Sequence, residues 1–272
     1  MTPDFSPENL PGRRAMAFVG AALLAGRAIL GFWRKGGPAT AKADGSPVTE
    51  ADLAANVAIL AVLQDTFPEI PVISEESDRP ASAAGAERFI LVDPLDGTKE
   101  FLRGTDEFTV NIALVEAGQP VSGVVYAPAS GRIWFGESAG CLSRAWAGAV
   151  APGETRREAI SWRSIAVRPV PEAPVAVVSR SHLDVATAEW MARRGIVNQA
   201  PSGSSIKFCL IAEGAADVYP RFGRTMEWDT AAGDAVLRAA GGLTTGLSGE
   251  AFVYGKADCA NPGFVARGAT SF

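Results

Sequence analysis

The residues with the clearest chemistry are Asp93 and Asp96, in the run Asp93-Pro-Leu-Asp-Gly-Thr-Lys-Glu-Phe101. They follow the apolar stretch Phe89-Ile90-Leu91-Val92, which reads as a buried strand. Pro94 and Gly97 are expected to break its ladder and turn the chain tightly, sending both carboxylates off the strand end into one small space. Like charges that close resist joint ionisation unless a cation neutralises them, which points to a hard metal held by oxygen. Glu75-Glu76, after Ile73, and Asp229, in Glu-Trp-Asp-Thr-Ala-Ala-Gly, stand at comparable junctions. Carboxylates from three separated segments suit Mg²⁺, which keeps waters and is completed by phosphate oxygens, better than a closed structural cage. Gly97 and Thr98 would offer backbone N–H groups to that phosphate.

The elements that must position these groups are legible in outline. Thr49 to Phe67 carries Leu53, Val57, Leu60, Leu63 and Phe67 at helical spacing, and Val72-Ile73 is a short strand. From Phe108 to Glu137 three strand-like segments alternate with turn signals, the pattern of an antiparallel meander. Ser143 to Arg163 lacks a period, and the expected division falls there: an N-terminal α+β domain over residues 1–150 with most of the acids, and a C-terminal α/β domain over 151–272 with Asp229. In the second half, a strand at Val175–Ser179 precedes helices near Val185–Arg194, Ser204–Glu213 and Asp229–Ala240, the last stopped by Gly241-Gly242.

At 272 residues, 47% of them hydrophobic, the chain can bury a large core. A net charge of −5 argues against a nucleic-acid polymer as partner, but a small anion remains suitable where positive charge is gathered locally. Cys141, Cys209 and Cys259 form no C-x-x-C pair, so neither a disulfide framework nor structural zinc is expected and a reducing cytoplasm fits. Ala15 to Trp33 is apolar, but Gly20, Gly26, Gly31 and Arg27 interrupt it, which favours a buried helix over a membrane span or export signal.

Three ordered motifs carry a resemblance. Asp93 to Thr98 resembles the D-P-[LI]-D-G-T signature of the inositol monophosphatase superfamily, Ser74-Glu75-Glu76-Ser77 its G-E-E-S element, and Trp228-Asp-Thr-Ala-Ala-Gly233 its W-D-x-A-A-G element. Asp44 to Asp52 is similar to its N-terminal motif. Gly97-Thr-Lys-Glu-Phe101, Ser179-Arg-Ser-His182, Gly203 to Leu210 and Tyr219-Pro-Arg-Phe-Gly223 resemble the CysQ-type 3'(2'),5'-bisphosphate nucleotidases within it. Ser74 departs from the glycine usual in the G-E-E element.

The resemblance implies a layered αβαβα sugar-phosphatase fold and a Mg²⁺-dependent phosphomonoesterase that hydrolyses adenosine 3',5'-bisphosphate to AMP and phosphate. Such an enzyme would clear a by-product of sulfate assimilation, would be inhibited by Li⁺, and would be a cytoplasmic monomer or homodimer, with peripheral association with the inner membrane allowed. The implied ligands of two or three Mg²⁺ are Glu75, Asp93, the Leu95 carbonyl, Asp96 and Asp229. Thr98, hydrogen-bonded to Asp52, would help Glu75 orient and deprotonate the attacking water. Substrate contacts are expected from Glu75, Leu95, Asp96, Gly97, Thr98, Ser181, His182, Gly203, Ser204, Ser205, Lys207, Arg221 and Asp229, with Arg224 a further candidate for the non-reacting phosphate.

Plainer readings compete with these roles. Thr49-Glu-Ala-Asp52 is by itself a capping box, and Asp229 an ordinary helix N-cap. Ser204, Ser205 and Lys207 could be a helix start with an exposed lysine, and Glu76 a solvated neighbour of the metal site. His182, the only histidine, does not make a Ser-His-Asp triad without a G-x-S-x-G elbow. The rival functions are an inositol or other sugar phosphatase on the same metal core, or a non-catalytic nucleotide-binding module.

Overall fold

The computed structural model describes residues 13–35, 39–41, 47–140, 142–180 and 183–268. Its frame is a seven-stranded sheet in sequential order, β3 (Val72–Ser74), β4 (Arg88–Asp96), β5 (Thr109–Glu116), β6 (Gln119–Ala127), β7 (Arg132–Ala139), β8 (Leu142–Ala149) and β9 (Ser161–Ile165). Every pair is antiparallel except β3 with β4. The short hairpin β1 (Ala39–Ala41) and β2 (Pro47–Thr49) leads into α2 (Glu50–Thr66).

The sheet is covered on both faces, which is why β4 and β5 read as near-continuous apolar runs. Ile90, Val92, Ile112 and Leu114 pack with α1 (Arg13–Leu30) and α2. Phe89, Leu91, Ala113 and Val115 face the opposite way, into a core shared with α5 (Ile206–Ala212) and α6 (Glu227–Ala239). Beyond those helices lies a five-stranded sheet in the order β11 (Asn198–Ser202), β10 (Val175–Ser179), β12 (Val218–Arg221), β16 (Phe264–Arg267), β14 (Leu243–Gly246). On its outer face α4 (Val185–Arg193) closes a third cluster around Val178, Trp190 and Met191. The layers are therefore αβαβα, as expected. A two-stranded ladder of β13 (Thr225–Met226) and β15 (Ala260–Asn261) sits at the start of α6.

Ser143 to Arg163, which shows no period, forms most of β8 and the first half of β9. These strands lie at the sheet margin, where Ala and Gly supply little patterned apolar surface; β9 buries only Ile165 of its five residues. The expected division at residue 150 thus cuts across the seven-stranded sheet, and the chain passes to the second sheet between Ile165 and Val175. Arg168 anchors that passage by donating from Nε and an Nη, both at 2.8 Å, to the buried Asp217.

The apolar first helix is confirmed as a buried one, with Phe18, Val19, Leu23 and Ile29 in the core. Among the described residues no helix is long and apolar enough to cross a membrane. Cys209 and Cys259 are free and buried, and Cys141 lies outside the described residues.

Helix α6 crosses the sheet at backbone contact because Gly123 and Gly136 lack side chains: a Cβ on Gly136 would lie 2.6 Å from Val236 Cα and 2.9 Å from the Ala235 carbonyl. Gly136→Ala is expected to cost about 1–3 kcal/mol by overpacking. Gly20→Ala in α1, where a Cβ meets only Arg157 Cδ at 3.5 Å, should stabilise by about 0.5–1 kcal/mol. Urea unfolding of both variants checks this, and equal losses would refute the close-approach account.

Candidate active site

Asp93 and Asp96 do not leave the strand end, contrary to the expected turn. β4 continues through both, and an irregularity between them lets Asp93 pair with Asn111 and Asp96 with Thr109. Three steps on one strand match two on the other, so the extra residue, beside the donor-less Pro94, brings both acids to the face of Asn111 and Thr109. Gly97 then takes φ +90° and starts the short helix α3 (Thr98–Leu102). A side chain there would strike Ser204 Oγ at 2.3 Å.

Two further elements bring acids to the same place. Glu75 follows β3, on a loop held from below by Asn56 of α2: Ser74 Oγ donates to Asn56 Oδ1 (2.7 Å), and Asn56 Nδ2 donates to Ser77 Oγ (3.0 Å). Asp229 is the third residue of α6, not its N-cap, because the helix starts two residues earlier than expected; its Oδ2 accepts from Met226 N–H at 2.7 Å. Glu75, Asp96 and Asp229 line a cavity of about 390 Å³ whose wall also includes Gly97, Thr98, Lys99, Gly203, Ser204, Lys207, Arg221 and Arg224. Glu76 is not part of that wall.

Burial and mutual repulsion dominate the electrostatics. Asp93, 1% exposed, is pushed well above the usual carboxylate range by burial, then by Glu75, Asp96 and Asp229. Asp229 is pushed up to about 8 by burial and Asp96, against the pull of Met226 N–H and Arg221. Burial also raises Asp96, opposed by Lys207 and by hydrogen bonds from Asn111 and Ser205. Among the described residues no three Asp, Glu, His or Cys side chains form a complete ligand set as they stand; the acids turn to neighbours instead, Asp93 Oδ1 accepting from Leu95 N–H at 3.0 Å. The donor chemistry nevertheless fits a hard cation: all the converging groups are oxygens, and their shared charge is unfavourable without one.

Asp52 combines the two roles that compete for it in the sequence. Its Oδ2 accepts from Thr49 N–H (2.8 Å) and Oγ1 (2.6 Å), completing the capping box of α2, while Oδ1 accepts from Thr98 Oγ1 at 3.2 Å. Thr98 Oγ1 also lies 3.3 Å from the Leu95 carbonyl. Burial raises the proton affinity of Asp52.

Lys207 is no exposed helix lysine: it is 6% exposed, its ammonium is 5.2 Å from the Tyr219 ring centroid, and it donates to the Ser204 carbonyl. Burial lowers its pKa to about 8, although Asp96 opposes the shift. Ser205 Oγ lies 2.6 Å from the Asp229 carbonyl and 3.2 Å from Asp96 Oδ2. Ser181 and His182 lie outside the described residues. Asn111, which donates to Ser205 Oγ at 2.9 Å and to Asp96 Oδ2 at 3.4 Å, escaped the sequence reading. Its signal was an amide between Val110 and Ile112 in a buried strand.

The inositol monophosphatase family model matches residues 14–269. The 3'(2'),5'-bisphosphate nucleotidase CysQ of Salmonella typhimurium is 45% identical over 226 residues, 82% of this chain and 86% of that protein. Its Escherichia coli K12 counterpart is 44% identical over the same shares. A crystal structure of CysQ from Bacteroides thetaiotaomicron superposes with a TM-score of 0.80 at 40% identity, covering 95% of this chain and 98% of that one. The Thermotoga maritima IMPase, 23% identical with a TM-score of 0.74 over 92% and 90% of the two chains, shares the fold.

The raised acids predict a pH dependence. Without divalent cations, the folded state holds protons that the unfolded chain releases near pH 4, so stability should fall as pH rises from 5 to 8. Asp93→Asn should flatten this slope and exceed the parent at pH 8 by more than about 1 kcal/mol. Thermal unfolding in EDTA at the two pH values tests this, and identical slopes would refute the repulsion.

Proposed function

The chain belongs to the inositol monophosphatase family, and we propose that it is a phosphomonoesterase that removes the 3'-phosphate of adenosine 3',5'-bisphosphate, yielding AMP and phosphate. The observation that carries this reading is the cavity itself, lined by the carboxylates Glu75, Asp96 and Asp229 together with the cations Lys207, Arg221 and Arg224. The carboxylates suit a cation-assisted phosphoryl site, and the three basic side chains suit a second phosphate that does not react. The likeness to named bisphosphate nucleotidases over most of their length supports that substrate.

Glu75, Asp93, the Leu95 carbonyl, Asp96 and Asp229 would hold two or three Mg²⁺. Bound there, Mg²⁺ supplies positive charge to phosphoryl oxygens and lowers the pKa of water. Thr98 donates to Asp52 Oδ1, so its remaining lone pairs can accept from a water at the cavity, and Asp52, with raised proton affinity, can draw that proton through the Thr98 hydroxyl. Gly97 and Thr98 N–H groups face the reacting phosphate at the start of α3. Ser205 and Asn111 hold Asp96 in place. Ser204, Lys207 and Arg221 receive the other phosphate and fix which ester lies at the acids.

Phosphate release should be Mg²⁺-dependent, abolished by EDTA, inhibited by Li⁺, and much faster with adenosine 3',5'-bisphosphate than with inositol 1-phosphate. Preference for the inositol ester would keep the acid cluster and overturn the substrate. Asp93→Asn and Asp229→Asn should each lose about a hundredfold or more in kcat while keeping the parent circular dichroism spectrum; full turnover by both would overturn the cluster's role.

A further inference from the structure

Arg180 and Glu107 lie outside the catalytic groups, yet they join the two sheets at the cavity rim. Arg180 follows β10 in the second sheet; Glu107 lies between α3 and β5 of the first. The guanidinium grips the carboxylate with two prongs, Nε to Oε2 at 2.7 Å and an Nη to Oε1 at 2.8 Å, and also donates to the Pro201 carbonyl at 3.0 Å. Arg180 beside Glu107 holds its carboxyl below the ordinary range, and Gly203 N–H adds to the effect.

The backbone around Glu107 is equally occupied. Its carbonyl accepts from Ser204 Oγ at 2.9 Å, and the same hydroxyl lies 2.9 Å from the Asp96 carbonyl. Gly203 packs so close that a Cβ there would sit 2.7 Å from the Glu107 carbonyl. Ser204 has φ +49°, the left-handed region, which is strained for a non-glycine residue and must be held from outside. Its carbonyl receives Lys207 Nζ. A continuous chain of contacts thus runs from Arg180 through Glu107 and Ser204 to the buried ammonium.

We propose that Arg180 and Glu107 are a positioning pair that locks the Gly203–Ser204 turn and thereby sets Lys207 for the non-reacting phosphate of the substrate. The clasp confers selectivity for two phosphates over one without touching either. The selectivity part rests on the function proposed above; the clasp itself does not.

Two readouts separate these. Hydrogen exchange of the 203–207 amides should quicken about tenfold in Arg180→Ala and less in Arg180→Lys, which keeps the charge but not the two-pronged grip. Unchanged exchange would overturn the clasp whatever the substrate. In Mg²⁺, the ratio of kcat/KM for adenosine 3',5'-bisphosphate to that for adenosine 3'-monophosphate should fall about tenfold in Arg180→Ala, through KM for the bisphosphate, with Arg180→Lys intermediate. Equal losses on both substrates, or a retained ratio with loosened amides, would overturn the selectivity role. A parent enzyme indifferent to the second phosphate would instead refute the proposed substrate, and exchange alone would then decide the clasp.

Discussion

The structure around the cavity is organised by the cost of placing acids together. Asp93 is buried and feels Glu75, Asp96 and Asp229, so the group is unfavourable as a set of free anions. Three of the carboxylates are held by hydrogen-bond donors: Asp93 by Leu95 N–H of its own strand, Asp229 by Met226 N–H just ahead of its helix, and Asp96 by Asn111 and Ser205. These bonds orient the acids without neutralising them. A site optimised for stability would have replaced one acid by an amide; this one retains an excess of negative charge that hard cations can offset.

Such a site needs walls that do not yield. The bulge in β4 aligns two acids, and α5 and α6, packed between the sheets, bring Ser205, Lys207 and Asp229 to face them. The far end of α5 is tied as firmly as its start. Glu213, at its C-cap, accepts from Arg132 (2.6 Å), Arg163 (2.8 Å) and Trp134 Nε1 (3.3 Å), all from the first sheet. The helix carrying Lys207 is therefore fastened to the sheet carrying Asp93 and Asp96.

Local signals were readable where a residue's environment is made by its sequence neighbours. The buried run into Asp93 and the stop at Gly241 with φ +94° follow from apolarity and glycine conformation. The helix over 50–66 forms where expected, but the stripe read as its apolar face is corrected: Leu53 and Val57 are exposed, and α2 packs through Ala51, Ala55, Ile59 and Leu63. β8 and β9 were missed because marginal strands of Ala, Ser and Gly carry no such pattern, and their existence depends on pairing with β7. Lys207 stays open between a substrate contact and an exposed lysine in the sequence because nothing local announces that Tyr219, twelve residues on, will fold over it. The dual use of Asp52 likewise depends on Thr98, distant in sequence, reaching the oxygen that the capping box leaves over.

By itself, then, the sequence determined the chemistry at hand: which oxygens could bind a hard cation, that three segments must supply them, and which family pattern they form. Tertiary structure decided their geometry and electrostatics: both β4 acids on one face, Asn111 beneath Asp96, a buried ammonium opposite, and the Arg180–Glu107 clasp across the rim. The division has a physical cause. Side-chain type and short-range period act over a few residues, whereas burial, proton affinity and the spacing of charges arise only when separated segments exclude water from one another.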